Sequence, residues 1–197
     1  VVTSIKPIHS LASYLMDGVG KPDLIVDGFN SPHGFSMKPS HAKMLQNADL
    51  IFWIGEDLES FLEKPLNSIA KKAEKIELIE IKGLNVLKFR ERNIFDEHDH
   101  DDHAKEEDDH DDHAKKEDDH DDHDDHAKKE DDHDDHDDHD EHKGHGHGEY
   151  DPHVWLDPIN AKVILKEMTE HLIENDSKNT STYKSNLDKA LKDIDKL

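Results

Sequence analysis

The residues between Asp96 and Glu149 cannot form part of a hydrophobic core. This segment contains 28 of the 49 acidic residues and 14 of the 19 histidines, and it accounts for nearly all of the formal net charge of −24. The motif DDHDDH recurs along it, and alanine is its only apolar residue type. Because such a chain buries too little apolar surface to offset its conformational entropy, we predict that residues 96–149 form a disordered loop rich in His, Asp and Glu.

The remaining residues are nearly neutral and alternate apolar runs with helical patterns. Strands are predicted in VVTSI, DLIVDG, DLIFWIG and KIELIEI, and the runs of successive apolar residues indicate strands covered on both faces. Helices are predicted between them, in HSLASYLMDGVG, in KPSHAKMLQNA with Ser40 as the N-cap, and in EDLESFLEKPLNSIAKKA with a break or kink at Pro65. This alternation predicts an α/β lobe with a parallel sheet, built from residues 1–95 together with 150–175.

Two amphipathic helices are predicted after the loop, over residues 158–175 and 177–197. The second shows apolar residues at three- and four-residue spacing, among them Tyr183, Leu187 and Leu191. It has no stop signal, so we expect it to continue beyond Leu197.

Composition narrows the class of ligand and the cellular location. The acidic balance makes nucleic acid an unfavourable partner and cations the natural ligands. The absence of cysteine excludes disulfides and thiolate metal sites. The chain begins in VVTSIKP without an initiator Met, as expected for an exported protein whose signal peptide has been removed, and no stretch approaches the length of an apolar membrane span.

The histidines of the loop predict metal capture, because imidazoles are largely neutral at pH 7 and carboxylates stand beside them. Composition favours zinc but also admits copper and nickel. An unstructured chain must be ordered at each binding event, so we expect several weak, exchangeable sites there.

A specific site requires rigid supports, and two histidines outside the loop have them. His33, in SPHGFSMKPS, follows the second strand, and ligands of open α/β sheets bind beyond the carboxyl ends of strands. His153 is flanked by prolines in DPHVWLDP. The alternative for each is a histidine hydrogen-bonded within a turn.

The other ordered histidines are interpreted as structural. His9 and His41 lie near helix starts, and His171 is expected to face solvent on an amphipathic helix. Glu56 and Asp57 are interpreted as acids in the first turn of a helix. No Ser/His/Asp or glycine-rich phosphate pattern is present, and we therefore predict that the protein is not an enzyme.

Three features in this order carry a family resemblance: SPHGFSMKPSHAKMLQNADLIFWIGEDLESFLEKP, the acidic histidine-rich loop, and DPHVWLDP before a long helix. The chain resembles the zinc-uptake substrate-binding proteins of bacterial ABC transporters, the ZnuA type. The resemblance implies two α/β lobes joined by one long helix, with metal bound between them. Residues 176–197 would begin that linking helix, and the second lobe would lie outside this chain.

The resemblance also implies site residues. His33 matches the first ligand of the family's first lobe, His153 matches the second, and the loop matches a charged zinc-collecting loop. Further ligands would come from the second lobe. Many zinc-type relatives have an acidic residue directly before the first histidine, whereas Pro32 stands there in this chain.

We therefore expect a monomeric periplasmic receptor that binds Zn²⁺ as its transported substrate and delivers it to an ABC permease, touching the membrane complex only peripherally. One alternative is a manganese- or iron-uptake receptor of the same fold, in which harder oxygen ligands replace a histidine. Another is a histidine-rich zinc buffer or metallochaperone. A metalloenzyme would also need a general base, and no sequence neighbour of His33 or His153 suggests one.

Overall fold

A four-stranded, all-parallel sheet organises the residues that this computed structural model describes, 1–89 and 149–196. The strands are β1 Val2–Thr3, β2 Asp23–Leu24, β3 Leu50–Trp53 and β4 Glu74–Glu77, in the order β2-β1-β3-β4. Val2 pairs with Asp23 on one side and with Ile51 on the other. The predicted α/β class with a parallel sheet is confirmed. The predicted disordered loop lies outside the described residues, apart from its last residue, Glu149.

The central and edge strands differ in burial. All four residues of β3 are buried, as expected for an apolar run covered on both faces. The edge strands β2 and β4 are partly exposed and shorter than the apolar patterns around them. Ile25 and Val26 continue the β2 hydrogen bonding to the backbone of Thr3 and Ser4 and are buried. The sheet core therefore extends beyond the strand bounds.

Five helices accompany the sheet in the described residues. They are α1 Lys6–Leu15, α2 Pro39–Asn47, α3 Ser60–Ser68, α4 Pro158–Asn175 and α5 Thr180–Ile194. Single 3₁₀ turns occur at Leu78–Glu80, Val154–Leu156 and Ser177–Asn179. None of these helices combines the length and apolar character that a membrane crossing requires.

The prediction that Ser40 caps α2 is wrong. Lys38 is the N-cap and Pro39 is the first helical residue, because proline has its φ angle set for a helix and has no N–H to satisfy in the first turn. The backbone N–H of Lys38 donates to Nδ1 of His41 over 3.1 Å. The imidazole therefore takes the role expected of a capping side chain.

Helix α3 is shorter than its sequence pattern. It begins at Ser60 instead of Glu56, and it contains Pro65 three residues before its end at Ser68. A proline inside a helix removes one backbone hydrogen bond and crowds the preceding turn, so a short helix is the expected consequence.

Helices α4 and α5 pack beside α1. Asp157 caps α4 by accepting a hydrogen bond from the N–H of Ile159 over 2.8 Å. In α5, the buried Asn186 donates from Nδ2 to the carbonyl oxygens of Leu15 and Asp17, each over 2.9 Å. The assignment of residues 176–197 to the start of an interlobe helix stays a prediction. In this structure α5 is packed on the lobe along much of its length.

Asn160 fixes the two segments that lead into and out of the undescribed residues. Its Oδ1 accepts from the N–H of Asn85 over 2.8 Å, and its Nδ2 lies 3.0 Å from the carbonyl oxygens of both Asn85 and Val154. Lys88 and Tyr150 form an antiparallel bridge between the same segments. The backbone that carries His153 is thereby held against α4.

Candidate metal centre

His33 and His153 lie side by side, although 120 positions separate them in the chain. Their ring centroids are 5.7 Å apart and the ring planes are inclined by 39°. Two imidazoles bound to one tetrahedral Zn²⁺ through Zn–N bonds of about 2.0–2.1 Å hold their ring centres roughly 5 Å apart. The structure therefore brings together the two sequence-predicted site residues at a separation that a shared ion can span.

His33 belongs to the loop that follows β2 at the carboxyl edge of the sheet. Its backbone N–H donates to Oγ of Ser31 over 3.2 Å, and the next residue, Gly34, has a φ angle of +80° that favours glycine. The side chain is exposed. This turn presents the imidazole to solvent while its backbone is constrained on both sides.

His153 is oriented by its neighbour Asp151. Oδ1 of Asp151 accepts from the backbone N–H of His153 over 3.0 Å and lies 2.6 Å from ring atom Nδ1. The ring also packs against Trp155, and the centroids of the two rings are 5.2 Å apart. With its proton on Nδ1, the neutral imidazole keeps a lone pair on Nε2 for a metal.

The charge on Asp151 is stabilised by the same contacts. The hydrogen bond from the backbone N–H of His153 is the largest influence that lowers the pKa of Asp151, and the ring of His153 acts in the same direction. Asp151 therefore remains a carboxylate that can accept a hydrogen bond from the N–H at Nδ1 of His153. Sequence analysis missed it, although its position two residues before His153 was visible in DPHVWLDP.

The site is open. His33 lines a depression of about 300 Å³ together with Asn30 and Lys38. His153, whose side chain is 36% exposed, lines a separate depression of about 290 Å³ with Asn85 and Leu156. Two protein ligands leave a tetrahedral Zn²⁺ two positions short, and this openness leaves room for water or further protein groups.

A third depression at the same edge of the sheet is strongly acidic. It has a volume of about 420 Å³, and Glu56, Asp57, Glu77 and Glu80 line it with Tyr150. Burial raises the pKa of Glu77, and the charges of Glu80, Glu56 and Asp57 add to this effect. The interpretation of Glu56 and Asp57 as first-turn acids of a helix is wrong, because α3 begins only at Ser60. They instead contribute negative potential that attracts cations to this edge.

The remaining ordered histidines have other roles. Nε2 of His9 lies 3.1 Å from the carbonyl oxygen of Pro22, and His41 accepts the hydrogen bond from Lys38, in line with the structural roles predicted for both. The expectation that His171 faces solvent is wrong, because its side chain is only 19% exposed and lies among three carboxylates. One of these carboxylates belongs to Glu74 on β4, which is distant in sequence, so helix periodicity alone could not reveal that His171 is covered.

The chain is similar to known proteins over nearly its whole length. The family model described as "ZnuA: Zinc-uptake complex component A periplasmic" matches residues 1–197. The high-affinity zinc uptake system protein ZnuA of Brucella abortus is 43% identical over 186 residues, which cover 94% of this chain and 52% of that protein. The corresponding protein of Yersinia pestis is 30% identical over 95% of this chain and 50% of its own length. The chain thus spans about half the length of these curated relatives.

Solved structures share the fold at low sequence identity. A Mn-bound periplasmic metal binding protein from Candidatus Liberibacter asiaticus superposes with a TM-score of 0.63 at 18% identity, covering 98% of this chain and 51% of that one. Zn(II)-bound AdcA from Streptococcus pneumoniae gives a TM-score of 0.62 at 16% identity, covering 99% of this chain and 30% of that one. The family model that matches the whole chain, together with the Brucella relative, shows that the chain belongs to the ZnuA family of periplasmic zinc-uptake components.

Proposed function

We propose that this chain is the metal-binding lobe of a periplasmic receptor that captures Zn²⁺ as substrate and delivers it to an ABC permease. The observation that carries the proposal is the convergence of His33 and His153, with ring centroids 5.7 Å apart. The relatives named as high-affinity zinc uptake proteins support the same substrate. The proposal includes a receptor that acts as a monomer and performs no covalent chemistry; the match to a zinc-uptake component fits a binding role.

In this proposal each residue of the site has a defined task. Nε2 of His153 and one ring nitrogen of His33 bind the ion. Asp151 accepts a hydrogen bond from Nδ1 of His153 and so keeps the ring proton on that nitrogen. Water, a histidine of residues 96–149 or a second lobe completes the coordination. The acidic depression around Glu77 raises the local concentration of cations beside the site.

The ligand set favours zinc over manganese. Two imidazoles suit a borderline metal, whereas Mn²⁺ prefers carboxylate, carbonyl and water oxygens. Because an imidazole must be neutral to ligate, Zn²⁺ affinity should fall as the pH drops below about 6, and binding should release protons. A titration with Zn²⁺ and Mn²⁺ in parallel distinguishes this receptor from a manganese- or iron-uptake receptor of the same fold. Tighter binding of Mn²⁺, or an unchanged Zn²⁺ affinity at pH 5, contradicts the zinc assignment.

Substitution of the paired histidines tests the site directly. H33A, H153A and the double variant are titrated with Zn²⁺ against a competing chelator strong enough to empty weak sites. Each single variant should lose the tightest site, and the double variant should lose little more, because both rings bind one ion. H9Q is the matched control, since it removes a partly buried imidazole elsewhere in the lobe. Retention of the tight site in H33A and H153A would falsify the proposal.

Deletion of residues 98–147 separates a receptor from a zinc buffer. When the full-length protein with its second lobe is used, a receptor keeps one tight site that still requires His33 and His153, and it loses only weaker binding. A buffer or metallochaperone loses nearly all its capacity, because the deleted residues contain most of the histidines.

A further inference from the structure

A second group of metal-ligating side chains lies far from the paired histidines. Glu74 begins β4 at the amino edge of the sheet, while His171 and Glu174 lie in the last two turns of α4. His171 is thirteen residues along α4 from Pro158, which corresponds to roughly 20 Å of helix. The paired histidines lie at the opposite, carboxyl edge.

The atoms of this group converge on one point. Nδ1 of His171 lies 2.9 Å from Oε1 of Glu74 and 3.9 Å from Oε2 of Glu174. One potential ligand atom from each of the three residues lies within 4.8 Å of the other two. Two ligand atoms of one tetrahedral Zn²⁺ stand roughly 3–3.5 Å apart. His171 and Glu74 are already near that separation, whereas Glu174 has to move inward to share an ion with them.

The Nδ1 atom of His171 gives an independent indication. It is buried and has no hydrogen-bond partner, although a carboxylate oxygen of Glu74 lies within 2.9 Å. The two atoms are therefore close without the alignment of a donor and an acceptor. A ring nitrogen that faces carboxylates at this distance requires a positive charge, which either a proton or a cation supplies.

The opposite side of the ring also faces a carboxylate. Nε2 of His171 lies 3.4 Å from Oε1 of Glu167, one helical turn earlier. If Nδ1 binds a metal, the ring proton lies on Nε2, where this carboxylate can accept a hydrogen bond from it. Among residues 1–89 and 149–196, no lysine or arginine forms an ion pair with these three glutamates. No protein cation there neutralises the cluster.

We propose that Glu74, His171 and Glu174 form a second divalent-cation site that links β4 to α4, with Glu167 as a positioning residue for the imidazole. One imidazole and two carboxylates, with water in the fourth position, make a ligand set for a borderline ion such as Zn²⁺. The same set binds Mn²⁺ more weakly, following the usual order of affinities. None of its ligands belongs to the paired-histidine site or to residues 96–149.

The test uses the whole chain with ¹⁵N-labelled histidine, because the loop would obscure a simple count of bound ions. Long-range ¹H–¹⁵N spectra report the two ring nitrogens of His171 separately while Zn²⁺ is added at constant pH 7.5. H171Q assigns the signals. We expect Nδ1 of His171 to shift as a ligand while Nε2 keeps its proton. Signals from His33 and His153 in the same titration report the substrate site separately.

Three variants sharpen the result. E74Q/E174Q should abolish the Zn²⁺-dependent shift of Nδ1, and E167Q should weaken it by about tenfold or more. E170Q is the matched control, since Glu170 is an exposed acid on the same helix, and it should behave like the parent chain. An Nδ1 signal that responds to pH but not to Zn²⁺ assigns the positive charge to a proton and overturns the proposal. A Zn²⁺ response that persists unchanged in E74Q/E174Q overturns it as well.

Discussion

Asp151 contacts His153 through one oxygen at two points. Oδ1 lies 3.0 Å from the backbone nitrogen of His153 and 2.6 Å from its Nδ1 atom. The first contact fixes the backbone of the residue, and the second fixes the orientation and tautomer of its ring. The carboxylate therefore leaves Nε2 as the ring nitrogen of His153 that can bind a metal.

Replacement of Asp151 by asparagine should weaken Zn²⁺ binding at the paired histidines about 10- to 100-fold. The amide preserves the size of the side chain, but it lacks the negative charge that strengthens the hydrogen bond from Nδ1. A chelator-competition titration measures the dissociation constant, and D188N removes an exposed acid of α5 as the control. Equal affinity of D151N and the parent chain would show that the aspartate does not support the ligand.

The parts of the fold that follow from local pattern were predictable. The buried run of β3 and the alternation of strands with helices indicate a parallel sheet before any contact is known. The loop after β2 then places His33 at the ligand-binding edge, as the carboxyl-end rule expects. Its proximity to His153 depends on tertiary packing, and only the family resemblance anticipated it.

Other features depend on contacts that a pattern does not contain. His171 looks solvent-facing in a helix because the residue that covers it, Glu74, is 97 positions away on β4. The boundaries of α3 depend on the turn before it, where Glu59 accepts from the N–H groups of Ile54 and Gly55. Hydrophobic periodicity carries no information about such polar contacts.

Replacement of Asn160 by alanine should destabilise the fold by about 1–3 kcal/mol, because partly buried backbone groups of Asn85 and the buried carbonyl oxygen of Val154 lose their partner. The segment that carries His153 should also loosen and weaken Zn²⁺ binding. Urea unfolding followed by circular dichroism measures the first effect, and the chelator titration measures the second. N67A, which removes an exposed asparagine from α3, should change neither quantity appreciably.

Replacement of Asn186 by alanine tests how firmly α5 belongs to the lobe. Its Nδ2 satisfies the carbonyl oxygens of Leu15 and Asp17 at the end of α1, so N186A should lower the free energy of unfolding by about 1–3 kcal/mol. K189A changes an exposed residue of the same helix and is the control. A free energy of unfolding in N186A equal to that of K189A would mean that the hydrogen bonds of Asn186 to α1 contribute little to stability.

The buried carboxyl group of Glu59 should make stability depend on pH in the acidic to neutral range. Burial raises the pKa of Glu59 from its ordinary value of 4.5 to about 7, against the opposing hydrogen bonds from Gly55 and Ile54. Between these two values the folded chain keeps a proton that the unfolded chain releases. The free energy of unfolding therefore decreases as the pH rises through this window because of Glu59. Above the window, Glu59 causes no further change.

The variant E59Q stays neutral at every pH and lacks this loss. The difference in free energy of unfolding between E59Q and the parent chain should therefore shift in favour of E59Q by on the order of 3 kcal/mol between pH 4.5 and 7.5. Urea titrations at pH 4.5, 5.5, 6.5 and 7.5 measure it, with pH values chosen to span the window. E63Q, an exposed position of α3, provides the baseline. A difference that is constant with pH would place the proton of Glu59 outside this range, because every other titrating group contributes equally to both chains.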